Sequence, residues 1–546
     1  MAYTAQSEHS GAGSPSRGGT AVATDETPGG TGTQAIPESR TGRHRQAGGG
    51  LVHCRRLGLG GSIALVVGGV FAGMPPSSDP LLQQHALRQL RSFITPAVAM
   101  VYVGLCLLML AWWRLGRLIR SGAKPTTREM VVTFLWWSAP LLVTMPIFSK
   151  DVYSYIAQGT LTIYGIDAYH YGPLMMSWWA QDVPQIWQTT PAPYGPVFLS
   201  LAEDVVTVTG QNVWLGVLGM RALALVGVAL MFFAIPRLAR LAGVDPSYGL
   251  WLGVLNPVVL VHLVGDAHND ALMIGLMLAG LTLAVERRPA AGSVLVSLAA
   301  LVKAPAGLAL IFIVALWAGQ LSGRARYLRA ALVAGGLGVA TVVATTRLAG
   351  TGYGWVGALS TPAIAHTWTS ITTDLGYFTG LLGEHFGVAT MDQMLAGWRY
   401  AGLAVAAVIC VMMLARHRAN PALGVGLALA GVVFLAPVFH PWYMLWATVP
   451  LAAAATTERV RNVTIGLLLA MTALVFPGGV NPTIAPVLGM ILGVVLVFGP
   501  AWAVANLDRA DLRGSFRAAV GRLAPTQLLR RLREAWASQA VVRTRA

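Results

Sequence analysis

The sequence predicts an all-α polytopic membrane protein, a helix bundle with about 13–14 transmembrane segments, and three observations predict it. The chain of 546 residues is 55% hydrophobic and only 11% charged, with a mean hydropathy of +0.61, more apolar surface than a soluble core can bury. Apolar runs of roughly 17–25 residues recur, the length that an ~30 Å hydrocarbon layer demands of a helix. Basic residues fill every second connector between those runs.

Residues 1–50 are rich in Gly, Ser, Thr and Pro and almost free of aromatics, so a disordered tail is expected. Arg55 and Arg56 precede the apolar run 58–74. With no convincing cleavage site behind it, that run reads as an uncleaved anchor and not a signal peptide. The spans are then 58–76, 94–113, 129–147, 213–235, 247–264, 270–286, 290–303, 305–321, 328–348, 397–415, 421–438, 442–457, 460–476 and 484–506. They group into an N-terminal hairpin (51–128), a core (129–350) holding the long loop 148–212, a C-terminal part (351–506) and a basic tail (507–546). Cys54, Cys106 and Cys410 lie far apart without a CxxC or His-rich partner, so inert thiols are expected instead of a disulfide or zinc framework.

Orientation follows from the connectors. Arg114 to Arg128, Arg237 and Arg240, Arg287 and Arg288, Arg324 to Arg329, Arg416 and Arg418, and Arg459 and Arg461 fall in every second connector. The positive-inside rule places them, and both termini, in the cytoplasm. The alternation holds only if Lys303-Ala304-Pro305 is the tip of a helical hairpin; one long kinked helix there would invert everything downstream. The formal net charge of +16 has its largest cluster in the last forty or so residues, where nine arginines from Arg509 to Arg545 face Asp511 and Glu534. Such a tail suits an anionic inner leaflet. Without an accompanying binding module, no nucleic-acid partner is expected.

Two long segments, 148–212 and 349–396, fall on the extracytoplasmic side. The first carries Asp151, Asp167, Asp182, Glu203 and Asp204 against Lys150 alone, with a dense set of aromatics that includes Trp178, Trp179 and Trp187. That composition suits amphipathic helices at the headgroup level or a platform for sugar rings. Asp151 follows directly on the third span, where a fixed, water-facing carboxylate can serve as a general base; as a plain helix N-cap it would need no such role. Asp266, His268, Asn269 and Asp270 stand together between the fifth and sixth spans, polar groups that are costly in a bilayer and either functional or water-facing. His268 and Asp270 also suit a divalent ion beside a phosphate, but two or three ligands do not define a coordination sphere, and no metal or other cofactor is expected. Lys303 interrupts an apolar stretch and needs an anion, for which a lipid phosphate serves, unless it snorkels to headgroups. Arg221 and Arg399 are secondary phosphate ligands by the same reasoning. His440, Trp442 and Tyr443 turn between two spans, either as interfacial anchors or as pocket lining.

The motif D-x-Y-x-Y-x-x-x-G, here Asp151, Tyr153, Tyr155 and Gly159, resembles the first extracytoplasmic loop of the GT-C glycosyltransferases. Asp167-Ala168-Tyr169 is similar to the next element of that loop, with Ala in place of the usual Pro, and Pro193-Tyr194-Gly195-Pro196 resembles its end. Together with Gly265 to Asp270, Val302 to Pro305 and His440 to Tyr443, these motifs resemble the actinobacterial polyprenol-phosphomannose-dependent α-1,6-mannosyltransferases of lipomannan and lipoarabinomannan synthesis. The resemblance implies a GT-C-like bundle with an added N-terminal hairpin, a polyprenyl-phosphomannose donor, a mannolipid acceptor and inversion at the anomeric carbon. It further implies Asp151 as base, Lys303, Arg221 and Arg399 at the donor phosphate, and Tyr153, Tyr155, Asp167, Tyr169, Asp266, His268, Asn269, Asp270, His440, Trp442 and Tyr443 around sugar or acceptor. A polyprenyl-phosphoarabinose transferase and a lipid-linked sugar flippase are the rival readings. The single break at Lys303, without a mirrored second half, counts against transport.

Overall fold

The structure is a computed structural model that describes residues 40–506 apart from 78, 80–83, 86–88, 90, 177–179, 211, 362–366, 368 and 455, with side chains described for 48–500. The expected N-terminal tail up to residue 39, the basic tail 507–546, and Trp178 and Trp179 lie outside the described residues. The chain divides into residues 1–46 and 47–546, and the second unit holds the helix bundle.

Every predicted apolar run contains helix, and no strand occurs among the described residues, as a polytopic membrane protein requires. Short helical turns aside, the helices are α1 (Arg40–Ala72), α2 (Ile94–Arg120), α3 (Thr127–Ser138), α4 (Asp151–Ile163), α5 (Pro196–Thr209), α6 (Val213–Leu241), α7 (Pro246–Gly253), α8 (Asp270–Val285) and α9 (Pro289–Ala300). They continue with α10 (Leu308–Gln320), α11 (Arg326–Ala349), α12 (Ile371–His385), α13 (Met391–Arg416), α14 (Pro421–Leu435), α15 (Leu445–Ala454), α16 (Glu458–Ala473) and α17 (Ile484–Asn506). Five are long and apolar enough to cross a bilayer: Gly48–Ala72 of α1, α2, α6, α11 and α13. A sixth candidate is the pair formed by the π-helix Val259–Gly265 and α8, which is bent by 108°. Four further apolar helices are shorter, Pro289–Ala300, Ala304–Gln320, Pro421–Leu435 and Ile484–Pro500.

Prolines account for much of this shortening. Pro146, Pro257, Pro305 and Pro441 each stand at a break, because proline removes a backbone donor and disfavours helical geometry in the residue before it. Lys303, just ahead of Ala304-Pro305, is extended, with φ −154° and ψ 123°.

The Lys303 break is a hairpin tip. Pro289 and Ala291 at the start of α9 share a surface recess with Trp317 and Leu321 at the end of α10, and Gln320 donates to Ala284 O at the end of α8 at 3.4 Å. The arms are therefore antiparallel, and the basic connectors collect at one end of the bundle. Arg237 pairs with Glu286 at 3.6 Å, Arg418 donates to Tyr327 Oη at 3.2 Å, and Arg461 lies 5.3 Å from the Tyr248 ring.

The long first loop behaves in two ways. α5 buries Phe198, Leu199, Ala202 and Val206 and exposes Asp204 and Val208, the one-sided pattern of an amphipathic helix. α4 instead buries every residue from Val152 to Leu161 and is part of the bundle interior. Gly159 lets the two helices meet: a Cβ there would stand 2.5 Å from Ala202 O. The expected thiols are all buried and free.

Asp182 is buried, its Oδ1 accepting the Ser77 amide at 2.6 Å, so probes of sidedness belong at exposed neighbours. Cysteines replacing Tyr171 and Asp392, both exposed, are expected to react with an impermeant thiol reagent on intact cells, whereas one replacing the exposed Lys124 reacts only after lysis. The reverse pattern overturns the orientation.

Candidate functional site

The site is assembled by two loops fastened to each other. Arg221, reaching from α6, is buried and donates to Gly265 O through Nε at 3.1 Å and Nη2 at 2.5 Å, and to Leu142 O through Nη1 at 2.8 Å. Asp266 Oδ1 accepts the amides of Ile147 at 2.9 Å and Phe148 at 3.2 Å. Buried charges need such partners, and these fix where α4 begins relative to the 265–270 turn. Ala267 takes the left-handed conformation in that turn, φ 57°, a cost of order 1 kcal/mol or more that surrounding contacts must hold in place.

Asp151 is the first residue of α4, not its N-cap; Lys150 occupies the cap position. The capping explanation for Asp151 is thereby removed. Its Oδ2 lies 3.6 Å from His268 Nδ1, a near contact slightly beyond hydrogen-bond range, and Tyr155 Oη is 3.3 Å from the same nitrogen. His268 is fully buried and stacks on Trp442 with centroids 4.1 Å apart, and Trp442 stacks on His440 at 4.5 Å. Although 22% of the Asp151 side chain is exposed, it sits in a recess. Loss of hydration there outweighs the opposing pull of Lys303, and with help from Asp270 pushes its pKa up to about 6.

Lys303 has an anion within the protein. Its Nζ donates to both oxygens of Asp270, at 3.0 and 2.9 Å, and Trp446 Nε1 donates to Asp270 Oδ1 at 2.5 Å. The ammonium also lies 4.6 Å from the Tyr443 ring and 5.3 Å from that of Trp446, close enough for cation–π attraction. The alternative of a snorkelling lysine is corrected, and the anion that Lys303 is expected to need is met within the protein by Asp270: a hairpin tip and the first turn of α8 are brought together by this pair. Gly195 helps, packing so close to the tip that a Cβ would lie 2.3 Å from Leu301 O.

Two cavities meet at Asp151. One, about 420 Å³, is lined by Asp151, Ser154, Gln158, Tyr194, Lys303 and Tyr443, with Pro305, Leu359, Val432 and Val438 among its apolar walls. The other, about 410 Å³, has Ser149, Lys150, Thr367 and Thr369 on its lining, and reaches His262 and Trp442. Asp151, Trp187 and His440 line both.

Of the residues expected at the site, Asp151, Tyr155, Asp266, His268, Asp270, Lys303, His440, Trp442 and Tyr443 converge here. Asn269, at the N-cap of α8, is buried among them, with neither amide atom hydrogen-bonded. Others do not join. Arg221 holds carbonyls behind the site, and Arg399 on α13 lines neither cavity. Tyr153 turns away to donate to Met74 O at 2.6 Å. Asp167 is exposed and accepts the Tyr169 amide at 2.8 Å in a local turn, while Tyr169 is buried against Gly354; a polar side chain near the motif in sequence is here a loop staple.

Sequence reasoning passes over His262, Ser154, Gln158 and Trp446. Helical spacing offers a signal for each: Ser154 and Gln158 stand three and seven residues after Asp151, Trp446 four after Trp442, and His262 four before Asp266. Ser154 Oγ and Gln158 Oε1 are buried without hydrogen-bond partners, and both residues line the larger cavity.

Comparison with known proteins meets this geometry with a family. Residues 55–319 match the alpha-(1→6)-mannopyranosyltransferase N-terminal domain and residues 372–507 the MptB C-terminal domain. Alpha-(1→6)-mannopyranosyltransferase A of Mycobacterium tuberculosis is 37% identical over 421 residues, 74% of this chain and 80% of the relative. Alpha-(1→6)-mannopyranosyltransferase B of Corynebacterium glutamicum is 34% identical over 480 residues, 81% of this chain and 80% of the relative. No solved structure matches. Both matched domains run through the elements that carry the site, and on that ground the chain belongs to the alpha-(1→6)-mannopyranosyltransferase family.

Proposed function

We propose that this protein transfers mannose from a polyprenyl-phosphomannose to the 6-hydroxyl of a mannolipid, on the extracytoplasmic face and with inversion. The observation that carries the reading is the place of Asp151 on the shared wall of two cavities, where a base can reach a hydroxyl presented from one side to a carbon presented from the other. The cavity with apolar walls and Lys303 suits a lipid-borne phosphosugar; the one with Ser149, Lys150, Thr367 and Thr369 suits a polyhydroxylated acceptor.

In the transfer, the acceptor oxygen forms a bond to the anomeric carbon as the bond from that carbon to the phosphate oxygen breaks. The hydroxyl proton passes to the Asp151 carboxylate, and the electron pair leaves with the polyprenyl phosphate. Lys303 gives two N–H groups to Asp270 and keeps a third for the leaving phosphate. His268, behind Asp151, keeps its carboxyl in place. The sidedness rests on the gathering of basic connectors at one end of the bundle and of the site's polar groups away from them. The family supports mannose and the (1→6) linkage.

The test is a cell-free reaction with purified protein in detergent, a synthetic polyprenyl β-phosphomannose and a mannolipid acceptor. An α-(1→6)-linked product is expected. Retention of the β configuration refutes inversion, transfer from a nucleotide-mannose instead of the lipid donor refutes the donor assignment, and preference for polyprenyl-phosphoarabinose returns the rival transferase. A protein that moves lipid-linked sugar across vesicles without making a glycosidic bond is a flippase.

A further inference from the structure

His262, Asp266 and His268 each present one ligand atom within 4.8 Å of the other two, and all three side chains are buried. His262 Nδ1 lies 3.2 Å from Asp266 Oδ2. Both nitrogens of His262, Asp266 Oδ2 and His268 Nε2 are buried with no hydrogen-bond partner. His262 Nδ1 and Asp266 Oδ2 have only their contact with each other, and four buried polar atoms without a hydrogen bond in one place are unusual, because leaving one unmade costs roughly 1–3 kcal/mol. They are also not spread at random: the π-helix carries His262, and the turn that follows carries the other two.

We propose that these three residues form a binding site for one divalent transition-metal ion of the zinc, cobalt or manganese type. Two imidazoles and one carboxylate match the donors such ions prefer, and a tetrahedral ion with bonds near 2.1 Å needs its ligands roughly 3.4 Å apart. His262 and Asp266 already stand near that separation, at 3.2 Å, and His268, whose ligand atom lies within 4.8 Å of both, must close by up to roughly 1.4 Å to join them. Asp266 is already oriented to serve as a ligand. Its Oδ1 is engaged by the Ile147 and Phe148 amides, so Oδ2 is the oxygen left for an ion. The second cavity reaches His262 and supplies the entry path.

The surroundings of His268 strengthen the case. A metal-bound histidine commonly donates its other ring N–H to a carboxylate or similar acceptor. Here the second nitrogen, Nδ1, faces Asp151 Oδ2 at 3.6 Å and Tyr155 Oη at 3.3 Å. An ion on Nε2 keeps the proton on Nδ1 and turns it toward Asp151, so His262, Asp266 and His268 are positioning residues for the carboxylate on the shared wall. The site differs from the His268 and Asp270 pair that sequence suggests, because Asp270 is committed to Lys303. The proposal concerns binding and stands apart from the assignment of donor and acceptor.

The experiment is a Co²⁺ titration of the full chain in detergent, freed of affinity-tag histidines and stripped with chelator, followed by displacement with Zn²⁺. One tightly held ion per chain is expected, with visible d–d bands that Zn²⁺ abolishes and a rise in Tm on loading. His262→Ala and Asp266→Asn should each weaken the ion by at least ~10-fold, Asp151→Asn by about 10–100-fold through the lost support of His268, and His385→Ala not at all. Absence of a stoichiometric ion, or an ion indifferent to both His262→Ala and Asp266→Asn, overturns the proposal. Should those variants not fold, X-ray absorption on Zn²⁺-loaded wild-type protein decides: two imidazoles in an N/O shell near 2.0–2.1 Å are expected, and a shell without imidazole refutes the site.

Discussion

Asp151→Asn is expected to lower mannosyl transfer by ~10²–10⁴-fold, the usual contribution of a general base, with little effect on folding. Asp151 neither caps α4 nor makes an ion pair within hydrogen-bond range; its amide is bonded to Ser149 Oγ, and the Ser149 hydroxyl also favours its ionised carboxylate. What the folded protein loses is a first-turn negative charge on a helix N-terminus, about 0.3–1 kcal/mol. Asparagine has the same shape and cannot take the proton. The measurement is kcat for the variant at saturating donor and acceptor, alongside thermal unfolding. Asp167→Asn serves as the comparison, since Asp167 is an exposed turn residue and its variant should turn over at close to the wild-type rate. Near-normal turnover by Asp151→Asn would remove Asp151 from the chemistry and leave the shared wall of the two cavities without a base.

Lys303→Ala should harm the protein twice, and the two losses are separable. It strips the partner from Asp270, whose carboxylate is completely buried, and breaking a buried pair from one side typically costs about 3–5 kcal/mol. It also removes the cation proposed to stand beside the leaving phosphate. Replacing both partners by neutral residues avoids leaving an uncompensated charge, so Lys303→Met combined with Asp270→Asn should recover most of the Tm lost by Lys303→Ala. Transfer should stay depressed in the double variant, because no cation is restored to the cavity. Recovery of stability and activity together would make Lys303 a structural residue only. A double variant as unstable as Lys303→Ala would show that the ion pair is not what holds the hairpin tip to α8.

The same side chain shows where reading a sequence stops. A lysine before Ala304-Pro305 in an apolar run announces a break and a need for an anion, both visible in one dimension. That the anion is Asp270, some thirty residues upstream, depends on α8, α9 and α10 lying antiparallel so that the start of one meets the tip of the other two. Tyr153 and Tyr155 make the same point on one helix. They share a motif and a residue type, yet two positions turn a helix by about 200°, and the bundle closes around both sides. One phenol bonds Met74 O, the other stands beside His268.

Composition, apolar run length and the alternation of basic connectors determined the class of this protein, its succession of helices and the regions that carry polar chemistry, because lipid leaves a chain few ways to satisfy its backbone. Asp151, the 266–270 cluster, Lys303 and the 440–443 turn were legible for the same reason: polar groups are expensive in such surroundings and stand out. The tertiary structure alone decided which of them meet. It turned Arg221 into a clamp on Gly265 and Leu142, sent Asp167 to the surface, and drew His262 out of an apolar span to face Asp266 and His268. Each of those outcomes depends on side-chain direction and on contacts between segments far apart in the chain, which no pattern of neighbours along the sequence encodes.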